Sequence, residues 1–145
     1  MVELLIVMGI FMVLAAVTMP VYGDWQRTVQ LDTALQEIGS GLRRAQAKSL
    51  SGENDSAHGV YFSATEGGGS YFVIYQGDNY AARTEEYDAV SVWPDSLVLS
   101  LGIGGEDINF SQGRGLPSAS GNIVLEDSGT GETGTTTINN WGIIE

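Results

Sequence analysis

The chain of 145 residues contains no cysteine and a single histidine, His58. Without thiols it has neither a disulfide framework nor a thiolate zinc site, and cysteine–histidine catalysis is excluded. His58 is predicted to lie in a polar turn before a strand, where a lone histidine usually only titrates or forms a hydrogen bond. We therefore expect no enzymatic activity and no cofactor.

Basic residues are also scarce. The chain has six lysines and arginines and eighteen aspartates and glutamates, which gives a net charge of −12. Residues 1–50 hold four acids and four bases, whereas residues 51–145 hold fourteen acids and only Arg83 and Arg114. Because phosphate binding needs clustered bases, we expect no nucleic-acid partner.

The acids occur partly as neighbours along the chain, at Glu85-Glu86, Glu106-Asp107 and Glu126-Asp127. Adjacent residues on a strand point to opposite faces, so the two carboxylates of such a pair do not converge on one site. We therefore interpret these pairs as solvated edges and turns and not as acid/base pairs. Oxygen-rich loops make calcium a weak possibility, with Asp78, Glu126, Asp127 and Glu132 as candidate ligands. No confident metal site is predicted.

Two acceptor patterns for N-linked sugar are present. They are Asn54-Asp55-Ser56 and Asn109-Phe110-Ser111. Such short patterns often arise by chance, and Asn54, in a predicted loop, is the better candidate.

The chain begins with an uncharged run of twenty residues, 4–23, headed by Glu3. As a helix this run spans about 30 Å, the thickness of a bilayer core. A secretory signal peptide would carry basic residues before a shorter apolar stretch, and a generic anchor gives no reason for Glu3. We predict that residues 1–23 form a transmembrane or filament-core helix.

The residues of this run, VELLIVMGIFMVLAAVTMPVY from Val2 to Tyr22, resemble the amino-terminal helix of type IV pilins and type II secretion pseudopilins. That family has a glutamate near its mature start and a proline seventeen residues beyond it, the spacing of Glu3 and Pro20 here. After its cleavage site the family typically reads phenylalanine-threonine-leucine-valine-glutamate, and Met1 lies at the position of that leucine. The leader, the cleavage site and two mature residues therefore have no counterpart in this sequence. Pro20 lacks an amide hydrogen, and we expect non-helical backbone between about Met12 and Pro20 in an assembled filament.

Residues 24–51 are predicted to form an amphipathic helix that packs on the head. Its apolar stripe has spacings of four and three residues, which is a helical period. Gly39 and Gly41 weaken this prediction. The stripe consists of Leu31, Leu35, Ile38, Leu42 and Ala45.

From Gly59 the period changes to two, and glycine-rich turns separate short runs of β-branched and aromatic residues. Six or seven strands are predicted, with no helical interruption, so residues 52–145 should form an antiparallel β-sheet head. The fold class is therefore α+β, and with the resemblance it is the pilin fold. The predicted strands are 60–63, 71–75, 89–93, 97–101, 108–110, 123–125 and 135–138.

The resemblance implies a structural subunit of an extracellular type IV pilus-like filament. Its partners would be identical subunits in a helical homopolymer and the assembly machinery, with the cytoplasmic membrane holding it before assembly. Glu3, Pro20, Leu31, Leu35, Ile38 and Leu42 are the candidate assembly residues, and Arg43, Arg44 and Lys48 are expected to pair with acidic heads of neighbours. The alternatives are a type II secretion pseudopilin and a minor pilin that acts as a tip adhesin.

Overall fold

The protein folds as an N-terminal helical region followed by two antiparallel sheets, in the order in which the sequence changes its period. The coordinates are a computed structural model that describes residues 2–15, 25–63 and 69–145. Helix α1 has the bounds Val2–Ser51, and its described residues form the segments 2–15 and 25–51. Pro20, with the helix break predicted near it, and the rest of 16–24 lie outside the described residues.

All seven predicted strands are confirmed, with small changes at their ends. Within the described chain the strands are β1 (His58–Ser63), β2 (Tyr71–Gln76), β3 (Ala89–Val92), β4 (Leu97–Leu101), β5 (Asp107–Phe110), β6 (Gly121–Asp127) and β7 (Thr133–Ile138). One sheet has the order β3-β2-β1-β5 and the other β4-β6-β7, and every pairing is antiparallel. The α+β class is therefore correct.

Helix α1 ends where the turn residues predict. Gly52 has a φ of +66°, a left-handed conformation that glycine adopts without a steric penalty, and its amide donates to the carbonyl of Ser49 at 3.2 Å. The Ser49 hydroxyl then binds the first strand, because it accepts from the amide of His58 at 2.8 Å. The end of the helix is thus tied directly to the start of β1.

One hydrophobic core joins the helix to both sheets. From α1 it takes a stripe of helical period, Leu31, Ala34, Ile38, Leu42 and Ala45, all buried. Helix α1 contacts β1, β2 and β5 of the larger sheet and β6 and β7 of the smaller one. The sheets contribute their inward-facing residues, mainly Val60, Phe62, Phe72, Ile74, Leu97, Leu99, Ile108, Phe110, Ile123, Leu125 and Ile138.

Gly41 lies where helix α1 comes very close to the side chain of Phe72 on β2. A Cβ atom on Gly41 would lie 2.7 Å from Cε2 of Phe72, which is too close for any side chain unless the ring moves. The absence of a side chain therefore lets α1 lie directly against β2. The loss of helix propensity at this position is the cost of that contact.

Leu42 offers a direct test of this core. It is fully buried, so Leu42→Ala removes apolar contacts and leaves a cavity, and we expect the free energy of unfolding to fall by about 2–5 kcal/mol. Leu50→Ala is the matched control on the same helix, since Leu50 is half exposed, and should cost under about 1 kcal/mol. Urea denaturation followed by circular dichroism measures both, and equal losses would contradict the assigned core.

Candidate assembly site

The first helical segment exposes its apolar side chains. Every residue from Val2 to Val13 is solvent-exposed in the single chain, and the exposed fraction reaches 76% at Met12. An exposed apolar surface that is continuous over several turns marks a contact with protein or membrane. This surface is the first part of the candidate assembly site.

Glu3 belongs to one face of that segment. An open groove along it is lined by Glu3, Leu4, Val7, Met8 and Phe11, spacings that place the carboxylate in line with apolar neighbours one and two turns away. Within the described residues Glu3 has no ion-pair partner.

The other predicted assembly residues lie mostly in the protein's own core. Leu31, Ile38 and Leu42 are buried against the two sheets. Leu35 is only partly buried. Its Cδ1 packs so closely on Gly134 of β7 that a Cβ atom added to this glycine would collide with it. Ala34 takes the buried place that the sequence pattern assigned to Leu35.

The basic residues of the helix have different surroundings. Lys48 forms an ion pair with Glu53 at 2.6 Å, and Arg43 donates to the carbonyl of Ile144 at 3.0 Å. Lys48 therefore has a carboxylate partner within its own chain, and the pairing of the three bases with neighbouring subunits stays a prediction. Arg44 has no ion-pair partner among the described residues.

Asp127 corrects the interpretation of the acidic pairs as solvated turns. Its side chain is fully buried, and Oδ1 accepts hydrogen bonds from the amides of Gly129 and Thr130 at 2.9 and 2.8 Å. Nη1 of Arg27 lies 3.6 Å from the same oxygen. These hydrogen bonds, chiefly from Thr130 and then Gly129, lower the pKa of Asp127, and the Arg27 charge adds to the effect.

No local sequence pattern indicates that Arg27 takes part in this arrangement. An aspartate followed by Ser-Gly-Thr indicates a side-chain-capped turn, but the cation comes from a helix about one hundred residues earlier. The arrangement stabilises the β6–β7 turn and fastens it to α1. A guanidinium already faces the carboxylate, so the site is poorly suited to a second cation.

The remaining calcium candidates do not form a metal-ligating group among the described residues. Asp78 is exposed in the turn after β2, Glu126 is exposed on β6, and Glu132 accepts a hydrogen bond from Thr28 at 2.8 Å. In the part of the chain that the structure describes, no group of three acidic or histidine side chains is placed to hold a metal ion.

The two candidate glycosylation residues both use their side-chain amides within the chain. Nδ2 of Asn54 donates to Gln76 at 2.8 Å. Nδ2 of Asn109 donates to the carbonyl of Gly77, also at 2.8 Å. Of the two, Asn54 is the exposed one, and sugar attachment there stays a prediction.

His58 does not lie in a polar turn, as the sequence predicted, but is the first residue of β1 and is buried. Neither ring nitrogen has a hydrogen-bond partner within the described residues. Burial lowers the pKa of His58, and the nearby Lys48 charge lowers it further, while Glu53 and the Ser56 carbonyl act in the opposite direction. Burial therefore favours the neutral form of the imidazole, which packs against its neighbours.

This burial predicts a pH dependence of stability. The unfolded chain has a histidine pKa near 6.5 and the folded one a lower value, so between them the unfolded state binds more protons. Stability should thus decrease as the pH falls below about 6.5. Denaturant titrations from pH 7.5 to 5 should show a smaller decrease for His58→Leu than for the wild type, and parallel curves would contradict this assignment.

Comparison of the chain with protein-family models, curated proteins and solved structures gives no match. Among the described residues, no helix combines the length and the apolar character needed to cross a bilayer. The predicted membrane segment includes residues 16–23, which lie outside that description.

Proposed function

We propose that this protein is a structural subunit of an extracellular type IV pilus-like filament, assembled through its amino-terminal helix. The observation that carries the proposal is the exposed apolar segment from Val2 to Val13 with one carboxylate, Glu3, on its surface. The register of Glu3 with Pro20, seventeen residues on, supports it through the resemblance to pilins.

In this proposal the apolar segment has two successive environments. Before assembly it lies in the cytoplasmic membrane, together with the following residues up to 23. In the filament it packs against the same segment of other copies. Moving the segment from lipid to the filament core costs little, because neighbouring helices are as apolar as lipid. The packing complementarity between the helices then decides whether the filament is the more stable environment.

The proposal also assigns the pilin arrangement of one long helix, apolar in its first half and packed on the head in its second. The second half supports this, since its stripe from Leu31 to Ala45 is covered by the chain's own sheets. The segment from Val2 to Val13, which is exposed, can then contact other subunits. The head then serves as the outer part of the filament.

Glu3 is the first residue to test. In a filament core its carboxylate would pair with the amino-terminal amine of a neighbouring subunit, and removing one partner of a buried pair costs roughly 3–5 kcal/mol. We expect Glu3→Gln to leave the amount of subunit in the membrane unchanged and to reduce sheared filaments sharply. Immunoblots of the membrane and sheared fractions measure both quantities.

Asp32→Asn is the matched control, because it removes one exposed carboxylate from the second helical segment. It should give wild-type filament yield. Normal yield from Glu3→Gln would reject the assembly role of Glu3. Equal loss in both variants would show a general effect of charge instead.

The surface charge of the head gives a second test. Ten of the thirteen head acids that the structure describes are exposed: Glu53, Asp55, Asp78, Glu85, Glu86, Asp95, Glu106, Glu126, Glu132 and Glu145. Their repulsion acts over about 8 Å at physiological salt. We expect single filaments in low-salt chelator and bundles in millimolar calcium, seen by negative-stain microscopy. Bundling that ignores calcium and ionic strength would contradict an anionic filament surface.

A further inference from the structure

The loop after β7 presents two large apolar side chains to solvent. Trp141 is 77% exposed and Ile143 is 55% exposed. The loop is nevertheless tightly held, because Oδ1 of Asn139 accepts from the amides of Trp141 and Ile143 at 2.9 and 3.0 Å. The indole is thus displayed by a preformed turn, which lowers the entropy lost when it binds.

A second loop lies beside this one and carries a positive charge. The side-chain amide of Gln46 donates to the carbonyls of both Gly115 and Gly142, at 3.0 and 3.1 Å, and so joins the two loops. Next to Gly115, Arg114 is exposed and has no ion-pair partner among the described residues. We name this surface the C-terminal patch; it consists of Leu50, Arg114, Leu116, Trp141 and Ile143, all exposed.

A second apolar patch, with the opposite charge, lies at β3. Val90 and Val92 are 59% and 68% exposed on this strand, which in the described sheet pairs only with β2. Tyr87 is exposed just before the strand, and Glu85 and Glu86 precede it. We name the surface of Glu85, Glu86, Tyr87, Val90 and Val92 the β3 patch.

The charge of the β3 patch is negative even when its neighbours are counted. Arg83 binds Asp88 at 2.8 Å and Glu85 at 3.2 Å, which neutralises part of the charge. Glu86 has no ion-pair partner in the described chain. On the helix side, Arg44 lines a groove with Val90, and Glu37 lines the same groove.

We propose that the C-terminal patch of one copy binds the β3 patch of a second copy. In a chain with a net charge of −12, an unpaired arginine beside an exposed tryptophan best fits an acidic and apolar surface, and the β3 patch supplies both features. Tryptophan and arginine are also the residues that most often dominate binding energy at interfaces. This proposal rests on the filament assignment, which brings the copies together.

The position of the two patches makes the contact directional. β3 and β5 are opposite edges of the sheet β3-β2-β1-β5, and Pro117, next to Leu116, bridges to Phe110 on β5. The two patches therefore lie toward opposite sides of one head. Two different patches give a heterologous contact, which repeats from copy to copy instead of stopping at a dimer.

The absence of cysteine allows a clean cross-linking test in the full chain. We expect filaments of the double variant Val92→Cys/Ile143→Cys, once oxidised, to give a ladder of dimers, trimers and larger species on a non-reducing gel. Each single variant should remain monomeric. The control Ser100→Cys/Ile143→Cys, with an exposed residue of β4 replacing Val92, should give no ladder.

Charge reversal tests the electrostatic part of the contact with the same cross-linking readout. In the double-cysteine background, Arg114→Glu places like charges together and should reduce the ladder about tenfold, the effect of roughly 1.4 kcal/mol. Adding Glu86→Arg to Arg114→Glu should restore it. A ladder insensitive to Arg114→Glu would overturn the proposed pairing.

The remaining outcomes separate this contact from the filament itself. Dimers from Val92→Cys alone would show symmetric pairing of β3 edges and reject the proposal, as would an equal ladder in the Ser100 control. Normal filaments without a ladder would reject the head contact and leave the filament assignment standing. Unchanged filament yield in Glu3→Gln, with the ladder present, would reject the role of Glu3 and keep the head contact.

Discussion

The fold depends on one helical stripe, from Leu31 to Ala45, that both sheets share. Each sheet on its own would leave an apolar face open to water, and the stripe covers part of both faces. Its burial also determines which faces of the helix remain at the protein surface. It thereby places Arg44, Glu37 and the exposed β3 edge where they can contact another molecule. The segment from Val2 to Val13, by contrast, is an apolar helical surface that the described part of the chain leaves exposed.

The local features of this fold could be predicted from the sequence because they repeat over a few residues. Alternation in the strands and the helical period of 31–45 need only neighbours along the chain, and both are confirmed. The pilin resemblance, by contrast, rests on Glu3, Pro20 and the residues around them, and it stays a prediction. The described structure includes Glu3 but not Pro20.

The features that sequence reasoning missed all depend on partners far along the chain. His58 is buried because β5 and β2 flank β1. The alternation of apolar residues along a strand does not indicate which strands will be its neighbours. Asp127 is buried because Arg27 and the Thr130 turn compensate its charge. The C-terminal patch was missed for the same reason, since Gln46 brings together two loops from separate parts of the chain.

The attachment of Ile144 to α1 imposes an order on folding during synthesis. Arg43 donates a hydrogen bond to the carbonyl of Ile144, a contact between residues 101 positions apart. A ribosome adds about 5–20 residues per second, so the two residues are synthesised several seconds apart. The native packing of α1 is therefore completed only several seconds after the helix itself has been synthesised.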